Sequence, residues 1–477
     1  MFLSVICVVV NVVYGFVAVP VYFFQSLYHG DFVPLSVAAL DLMRSDGLPL
    51  CSFALPMAMV CYMVMMSKHF AKQFVGAGGI SAIKACGTLV RSPTPRLKKE
   101  LEHWERLSQK CGQHLHPSTQ PLENDDDRRN SVGRLGDQER TFAATMLLRA
   151  AGKRNGSGGG GTGRGEEGGT QNNSIVRGNV LTQTLSSVVT GLVVDSLNAL
   201  SYLARLSASY YPRITKAKLE DELRCLCWDP EEIVRSKLCN FIGNLCKHSD
   251  ECYAVLVRAL PPMAPDAEEG SEPAEADNRL SGASQVRGRT VIAHLVTRLR
   301  DDDPAVRKFA CFAVGNAAFH SEALYPELRG AIPALIDALC YDKMHKTRAN
   351  AAGALGNLVR NSPMLCAALV KAGAQEALLQ VAKSDVHTQP QRIALFSLGN
   401  LCVYSTCRDA LLGKNESSGM LPILKNLELT TEDGTVVKYV QRIRNKLSQP
   451  VFSQKKNLKK KRTTKKSLGR KSRLREE

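Results

Sequence analysis

The sequence predicts an all-α fold, a right-handed superhelical solenoid of repeated helices. Three observations support this prediction. A Gly-Asn pair recurs along the chain, and Gly315 and Gly356 are 41 residues apart. Apolar residues recur at intervals of three and four residues, and aromatic residues are only 6% of the chain. The interval lies in the range of armadillo and HEAT repeats, so the solenoid is expected to be armadillo/HEAT-like.

Four columns of residues define the repeat. The Gly-Asn pair occurs at 243–244, 315–316, 356–357 and 399–400. An aspartate stands fourteen residues before each glycine, at Asp229, Asp301, Asp342 and Asp385. A serine stands six residues after it, at Ser249, Ser321, Ser362 and Ser405. An arginine stands eight residues before the first three glycines, at Arg235, Arg307 and Arg348. The fourth copy has Gln391 there, with Arg392 beside it.

Each column has a structural interpretation. The aspartate is expected to precede a helix and to accept bonds from backbone amides, and the serine to cap the first helix of the next copy. Pro230 and Pro304 are expected at the first helical position, where a missing donor costs nothing. Glycine inside a helix costs about 1 kcal/mol, so we expect the glycine column to allow close packing of a neighbouring helix.

Composition predicts the order of the domains. These are an apolar helical, armadillo-like N-terminal block (1–92), a disordered Gly-rich linker (93–180), armadillo repeats (181–450) with an acidic insert at about 261–288, and a basic disordered tail (451–477). Within the first block, Gly76–Gly79 is expected to break one helix and start another. Within the repeats, Met420–Leu447 is expected to form a closing pair of helices that caps the solenoid.

Two apolar stretches near the N-terminus leave two interpretations open. Residues 1–28 contain no charged residue, and residues 48–67 are nearly as apolar. On length alone, both fit membrane spans, and a membrane-anchored armadillo protein is one alternative. The first stretch lacks the basic n-region of a signal peptide, and an amphipathic segment, Lys68–Phe74, follows the second. These features favour buried solenoid helices.

The residue types exclude several classes of site. None of the fifteen cysteines forms a C-x-x-C pair, so we expect buried reduced thiols and no structural zinc. His248 and His320 share a repeat position that Asn361 and Tyr404 fill in the other copies, which indicates a polar loop position and no metal pair. The sequence therefore predicts no catalytic residue, no metal and no cofactor.

The net charge of +17 is unevenly distributed. The segment Lys455–Glu477 holds twelve Lys and Arg against two Glu, so the rest of the chain is only mildly basic. The tail is therefore the predicted contact for tubulin, nucleic acid or anionic lipid, and it also fits a nuclear-localisation signal. Its candidate residues are Lys459, Lys460, Lys461, Arg462, Lys465 and Lys466.

Several motifs together resemble one protein family. WDPEEIVRSKLCNFIGNLCKHSDECY, VRKFACFAVGNAAFHSEALY and TRANAAGALGNLVRNS are similar to the C-terminal armadillo region of Fused-type serine/threonine protein kinases. LNALSYLARLSASYYPRI, which precedes them, is similar too. The resemblance is specific over about 197–412 and weaker over about 34–90. It implies a partner-binding scaffold that acts in cilium and flagellum assembly, particularly of the central pair, in Hedgehog signalling or in cytokinesis.

The chain departs from this family in one respect. Family members carry a kinase domain at the N-terminus, but this sequence has no Gly-rich loop on strands, Val-Ala-x-Lys strand, His-Arg-Asp loop or Asp-Phe-Gly motif. We therefore expect no phosphate transfer by this chain. It is either a stand-alone scaffold or a fragment of a Fused-like kinase. The expected location is cytoplasmic, including the cilium or flagellum, with nuclear entry through the basic tail.

The candidate partner-binding residues are the asparagine and arginine columns. They are Asn244, Asn316, Asn357, Asn400, Arg235, Arg307 and Arg348. The asparagines match those that bond extended peptides on the third-helix surface of armadillo repeats, or else they tie adjacent repeats together. Importin-like repeats place a Trp four residues earlier, where this chain has Asn240, Phe312, Gly353 and Phe396. This difference argues against a nuclear-import adaptor.

The arginine column also has two interpretations. The arginines either pair with the aspartate column, within and between repeats, or line a groove for an acidic peptide. In the second case the acidic insert Asp266–Asp277 is a candidate occupant of that groove within the same chain. Proteins or peptides bound on the solenoid surface are therefore the predicted partners.

Overall fold

The computed structural model of the protein describes residues 33–34, 36–38, 54–90, 169–260, 290–412 and 420–448. Every regular element within these ranges is a helix. The predicted all-α fold is confirmed for this part of the chain. The predictions for residues 1–28, the acidic insert and the basic tail lie outside the described residues.

The helices follow one another in groups of three. The helix before the first group is α1 (Ala54–Met66). The first three groups are α2 (Lys68–Gly76), α3 (Gly79–Ala85) and α4 (Gly169–Leu206); α5 (Tyr211–Lys216), α6 (Glu220–Leu226) and α7 (Glu232–Leu245); and α8 (Tyr253–Leu256), α9 (Val291–Thr297) and α10 (Pro304–Ala317). The last three are α11 (Tyr325–Leu328), α12 (Ile332–Tyr341) and α13 (His345–Asn357); α14 (Cys366–Lys371), α15 (Ala374–Ser384) and α16 (Thr388–Leu401); and α17 (Ser405–Leu412), α18 (Met420–Thr430) and α19 (Gly434–Leu447).

The third helices of successive groups form one layer. They pack side by side in the order α1, α4, α7, α10, α13, α16 and α19. One continuous hydrophobic core runs beneath them, from the N-terminal helices to Ile443. Each group buries its apolar face only by stacking on its neighbours, which defines a helical solenoid. Three helices per group, with a short first helix, is the armadillo arrangement.

The N-terminal block and the repeats form a single solenoid. The Ser196 hydroxyl in α4 donates to Thr88 Oγ1 at 2.9 Å. Lys84 Nζ donates to the Lys218 carbonyl at 2.7 Å and forms an ion pair with Glu222. The predicted linker therefore interrupts one group, between its second and third helices, and the acidic insert interrupts another, between α8 and α9.

The predicted linker is too long at its C-terminal end. Its predicted last residue is 180, whereas α4 begins at Gly169. The C-terminal half of α4 packs on α1 and α7. Because a helix propagates more easily than it nucleates, the polar residues before Leu181 continue this helix toward the N-terminus.

One segment within the described residues, Ser187–Leu206, has the length and hydropathy of a membrane span, and 56% of it is buried inside the solenoid. The shorter apolar helix α1 also contributes to the core, with Met57, Cys61 and Val64 at most 1% exposed. These positions agree with the buried-helix interpretation for the described part of residues 48–67.

The Gly-rich break in the N-terminal block forms as predicted. The helix α2 ends at Gly76, Gly78 has a φ of 85°, and α3 begins at Gly79. At the other end of the chain, α18 and α19 form the expected closing pair, separated by residues 431–433.

The glycine column lies where third helices approach one another. A Cβ at Gly243 would lie 2.6 Å from the ring of Phe312, and one at Gly356 would lie 2.8 Å from the Cα of Ser397. The predicted reason for these glycines is confirmed. Gly315 is less restricted, because its nearest neighbour, the Cα of Ala354, would be 3.5 Å from a Cβ.

Two local predictions are wrong. The serine column does not cap the next helix in the first three copies. There the N-cap residues are Cys252, Leu324 and Leu365, which make no side-chain cap bond. Ser362 Oγ instead accepts from the amide of Met364, two residues on, because the chain turns once more before the helix begins.

The second wrong prediction concerns one of the two prolines. Pro304 occupies the first position of α10, with Asp303 Oδ1 accepting from the Val306 amide at 2.8 Å. Pro230, in contrast, lies before Glu231, the N-cap residue of α7. Glu231 delays the start of that helix because its backbone is extended.

Candidate functional site: the third-helix surface

An arginine–aspartate ladder joins successive copies. Arg235 on α7 donates from Nε and Nη2 to the carboxylate of Asp301, at 2.8 and 2.9 Å. Its Nη1 donates to the Asp229 carbonyl at 2.7 Å. Arg348 repeats the pattern on Asp385, at 2.6 and 2.8 Å. Each of these guanidinium groups thus bonds both the aspartate of the next copy and the loop that precedes its own helix.

Arg307 is the middle member of the ladder. Its Nε donates to Asp342 Oδ2 at 2.7 Å, and its Nη1 donates to the Asp301 carbonyl at 2.9 Å. Each aspartate of the column also accepts a backbone amide two residues ahead, as the Met344 amide donates to Asp342 at 2.8 Å. The predicted pairing of the two columns is present in the structure.

Charge and burial reinforce these pairs. Burial acts to raise the pKa of Asp301 and of Asp385, but the hydrogen bond and charge of the arginine and a backbone amide bond together outweigh it and hold each pKa below its ordinary value. The hydrogen bonds to these aspartates also raise the pKa of both arginines. The Asp side chains are only 2–3% exposed, so the ladder is an internal part of the solenoid. A role for these arginines in partner binding remains a prediction.

The asparagine column ties third helices together. Asn316 Nδ2 donates to the Gly243 carbonyl at 2.8 Å, and Asn357 Nδ2 donates to the Gly315 carbonyl at 2.9 Å. Asn400 makes a longer bond of 3.5 Å to the Gly356 carbonyl. Among the described residues, no donor bonds the Oδ1 of Asn316 or Asn357, and both side chains are partly exposed. These two residues retain an acceptor for a ligand.

The two ends of the asparagine column differ from its middle. Asn244 is only 4% exposed and donates to the Ser201 hydroxyl at 2.8 Å. Asn400 Oδ1 accepts from Arg442 at 2.9 Å. Lys446, on the last helix, bonds the Gly399 carbonyl, the group that an asparagine binds in earlier copies. In the last copy, cations of the final helix α19 therefore make the contacts that asparagines make in the earlier copies.

A tyrosine column, which the sequence analysis missed, supports three of the third helices from the first-helix side. Tyr211 donates to the Asn244 carbonyl at 2.8 Å, Tyr253 to that of Asn316 at 3.1 Å, and Tyr325 to that of Asn357 at 2.7 Å. Burial raises the pKa of each phenol, to about 12 for Tyr211, so all three remain donors. The signal was present: Tyr253 and Tyr325 each follow a column glycine by ten residues.

The histidine position also binds the preceding copy. His248 Nε2 donates to the Arg205 carbonyl at 2.7 Å, and His320 Nε2 donates to the Lys247 carbonyl at 2.8 Å. Asn361 replaces the histidine in the third copy and donates to the Phe319 carbonyl at 3.0 Å. Among the described residues no cluster of three or more side chains is suited to hold a metal.

A groove lies across the layer of third helices. Its volume is about 300 Å³, and four successive third helices contribute to it. It is lined by Asn240, Lys308, Phe309, Phe312, Lys346, Asn350 and Gln389. Asn240 and Phe312 lie where importin-like repeats would have a tryptophan, so an amide and a phenyl ring replace two of those tryptophans. The lining combines cations, aromatic rings and amides, which are groups that can contact a polypeptide.

These features define a class, the armadillo-type helical solenoids with a polar third-helix groove. The chain is 31% identical over 254 residues to serine/threonine-protein kinase TIO of Arabidopsis thaliana. This alignment covers 50% of this chain and 17% of that kinase. It is 31% identical over 240 residues to serine/threonine-protein kinase 36 of Pongo abelii, covering 49% and 16%. The resemblance to Fused-type kinases is therefore confirmed over about half of the chain.

The chain spans about a sixth of the length of these curated relatives. No family model matches it. Among solved structures, it is similar to a designed armadillo repeat protein in complex with the peptide (KR)4, at 20% identity and a TM-score of 0.43, covering 56% of this chain and 94% of that one. A second designed armadillo protein, made for modular peptide recognition, aligns over 55% of this chain and 93% of its own, with 20% identity and a TM-score of 0.42. The fold assignment rests on the repeat geometry described above.

Proposed function

We propose that this chain is a non-catalytic scaffold, related to Fused-type kinases, that holds extended segments of partner proteins on its third-helix surface. The groove beside the asparagine column carries this proposal. An extended peptide presents backbone donors and acceptors along its length. The amides of Asn240, Asn350 and Gln389 can bond both kinds of group, and the unbonded Oδ1 atoms of Asn316 and Asn357 add acceptors.

The chemistry of the described residues also favours binding over catalysis. Burial raises the pKa of Cys227 and of Cys311 to about 12, so these thiols stay protonated and are poor nucleophiles. The carboxylates of Asp301 and Asp385 are held in ion pairs with arginine. These four residues therefore stabilise the solenoid, and the groove is the surface that we assign to ligands.

The cellular setting of this proposal comes from the resemblance to Fused-type kinases. We place the scaffold in the cytoplasm, in the assembly of cilia or flagella or in related signalling, with nuclear entry through the basic tail. Tagging the chain in ciliated cells and imaging it tests this placement. A signal excluded from cilia and their basal region during assembly would contradict it.

Display of a random peptide library on the full chain tests the binding function. We expect enriched peptides whose binding is weakened by Asn316→Ala combined with Asn357→Ala. Asn426→Ala is the matched control, because Asn426 is exposed on α18, away from the groove. A thermal melt of each variant separates lost binding from lost stability, since the two column asparagines also tie helices together. Absence of any enriched peptide would refute the proposal.

A second candidate function follows from the similarity to two kinases. In this alternative, the chain is part of a longer serine/threonine kinase, and the solenoid recruits substrates for it. Sequencing the full-length transcript distinguishes the candidates. An in-frame kinase domain with His-Arg-Asp and Asp-Phe-Gly motifs ahead of Met1 would support the second, and its absence would support the first.

A further inference from the structure

We propose that the groove binds acidic extended peptides, with carboxylates that pair with Lys308 and Lys346. This inference rests on the proposed function, because it specifies which segments the scaffold holds. Both lysines line the groove, and they come from the successive third helices α10 and α13. None of the described side chains that line it is acidic. The groove is therefore a positively charged surface.

These lysines differ from the arginine column in their ion pairing. Arg235, Arg307 and Arg348 are each neutralised by an aspartate of the next copy. Within the described part of the chain, no carboxylate pairs with Lys308 or Lys346. The cations available to an acidic ligand thus lie on the groove, and the arginines that the sequence suggested for this task are already paired.

Aromatic side chains define a second feature of the ligand. Lys308 Nζ lies 4.2 Å from the centre of the Phe309 ring, which holds the ammonium group in place over it. Phe309 and Phe312 are partly exposed in the groove. An apolar side chain between the carboxylates can pack on these rings. The expected ligand is therefore an apolar residue flanked by Asp or Glu.

Backbone recognition comes from the amide residues. Asn350 Nδ2 donates to the Lys308 carbonyl at 3.0 Å, so its orientation is set and its oxygen is directed away from that bond. Gln389 is exposed. Such groups bond any extended backbone, so selectivity must come from charge. A basic peptide would place like charges against Lys308 and Lys346 and would be rejected.

Fluorescence anisotropy with the full chain tests the inference. The probes are three labelled seven-residue peptides with a central phenylalanine, flanked on each side by three glutamates, three glutamines or three lysines. We expect the glutamate peptide to bind at least about tenfold more tightly than the glutamine peptide, and its affinity to fall as salt is added. Binding of the lysine peptide should not be detected.

Charge-reversal variants locate the site. Lys308→Glu combined with Lys346→Glu should weaken binding of the glutamate peptide about tenfold or more, whereas replacement of both by Arg should preserve it. Lys383→Glu with Lys371→Glu is the control, with both residues on helices of the outer layers. The basic tail is the same in every variant, so a difference in affinity between variants comes from the substituted lysines. Circular dichroism confirms that each variant folds.

The possible outcomes separate this inference from the proposed function. Equal affinity for the glutamate and glutamine peptides overturns the inference. It is also overturned if the groove variant and the control variant weaken binding of the glutamate peptide equally. If library peptides still depend on Asn316 and Asn357 in that case, the scaffold function stands with a neutral ligand. Failure of the library selection itself counts against the scaffold function.

Discussion

Gln391 and Arg392, neighbours in the fourth copy, divide between them the bonds that one arginine makes in the third copy. Gln391 Nε2 donates to the Asp385 carbonyl at 2.7 Å, as Arg348 Nη1 does to that of Asp342. Arg392 Nε donates to the carboxylate of Asp433 at 2.6 Å. The link between copies survives the change in sequence because two side chains each supply one part of it.

The sharing of these bonds between Gln391 and Arg392 predicts what happens when the arginine is moved from position 392 to position 391. Arg392→Gln should lower the melting temperature, because Asp433 loses its cation. Adding Gln391→Arg should restore it, since an arginine at that position makes both bonds in the preceding copies. Thermal melts followed by circular dichroism measure the effect, with exposed Arg329→Gln as control. The interpretation would be wrong if the double variant melted no higher than the single one.

The ladder predicts a loss of stability in acid. An unfolded aspartate has a pKa of about 3.9, and the folded pKa of Asp301 and of Asp385 is lower. As pH falls, the unfolded chain therefore binds protons first, and the stabilisation present above about pH 4 is lost as pH passes through the folded pKa. We expect the melting temperature to fall steeply below about pH 4.

Replacement of one member of the ladder tests the source of this acid sensitivity. Asp301→Asn should lower stability at pH 7 and make its decline in acid shallower. Asp337→Asn is the matched control, because its ion pair with Arg300 is more than half exposed. Melts at several pH values between 7 and 3 provide the comparison. An unchanged pH profile in Asp301→Asn would assign the acid sensitivity to other carboxylates.

Two glycines of one column should respond differently to alanine. Gly356→Ala should destabilise by about 1–3 kcal/mol, because the new Cβ meets the Cα of Ser397 on the next helix. Gly315→Ala should be neutral or stabilising by up to about 1 kcal/mol, since the Cβ fits at 3.5 Å and alanine favours the helix. Urea unfolding measures both. Similar losses in the two variants would argue against packing as the cause.

The tyrosine column predicts a cost for removing one hydroxyl. Tyr325 donates to the Asn357 carbonyl and accepts from the Asn361 amide at 3.2 Å. Tyr325→Phe should destabilise by about 1–2 kcal/mol, because two backbone groups lose a buried partner. Tyr341→Phe, at an 81% exposed position, should change little. A neutral Tyr325→Phe would mean that water replaces the hydroxyl.

Much of the fold was readable from the sequence because the repeat columns report local geometry. A glycine in a helix signals close packing, and an aspartate before a helix signals amide acceptance. The tyrosine column was missed because only Tyr253 and Tyr325 stand at equal distances from their glycines, whereas Tyr211 lies in a group that lacks the repeat spacing. The acidic-peptide hypothesis assigned its ligand to arginines that the structure pairs with aspartates.

By itself, the sequence determined the all-α class, the copy number of the explicit repeats and the resemblance to Fused-type kinases, since periodicity and motif spacing are properties of the chain. Only the tertiary structure decided that the N-terminal block and the repeats share one core, because α4 packs on both α1 and α7 across the linker. It also decided which cations are available to a ligand. Pairing depends on distances between residues of different copies, and those distances exist only once the helices are stacked.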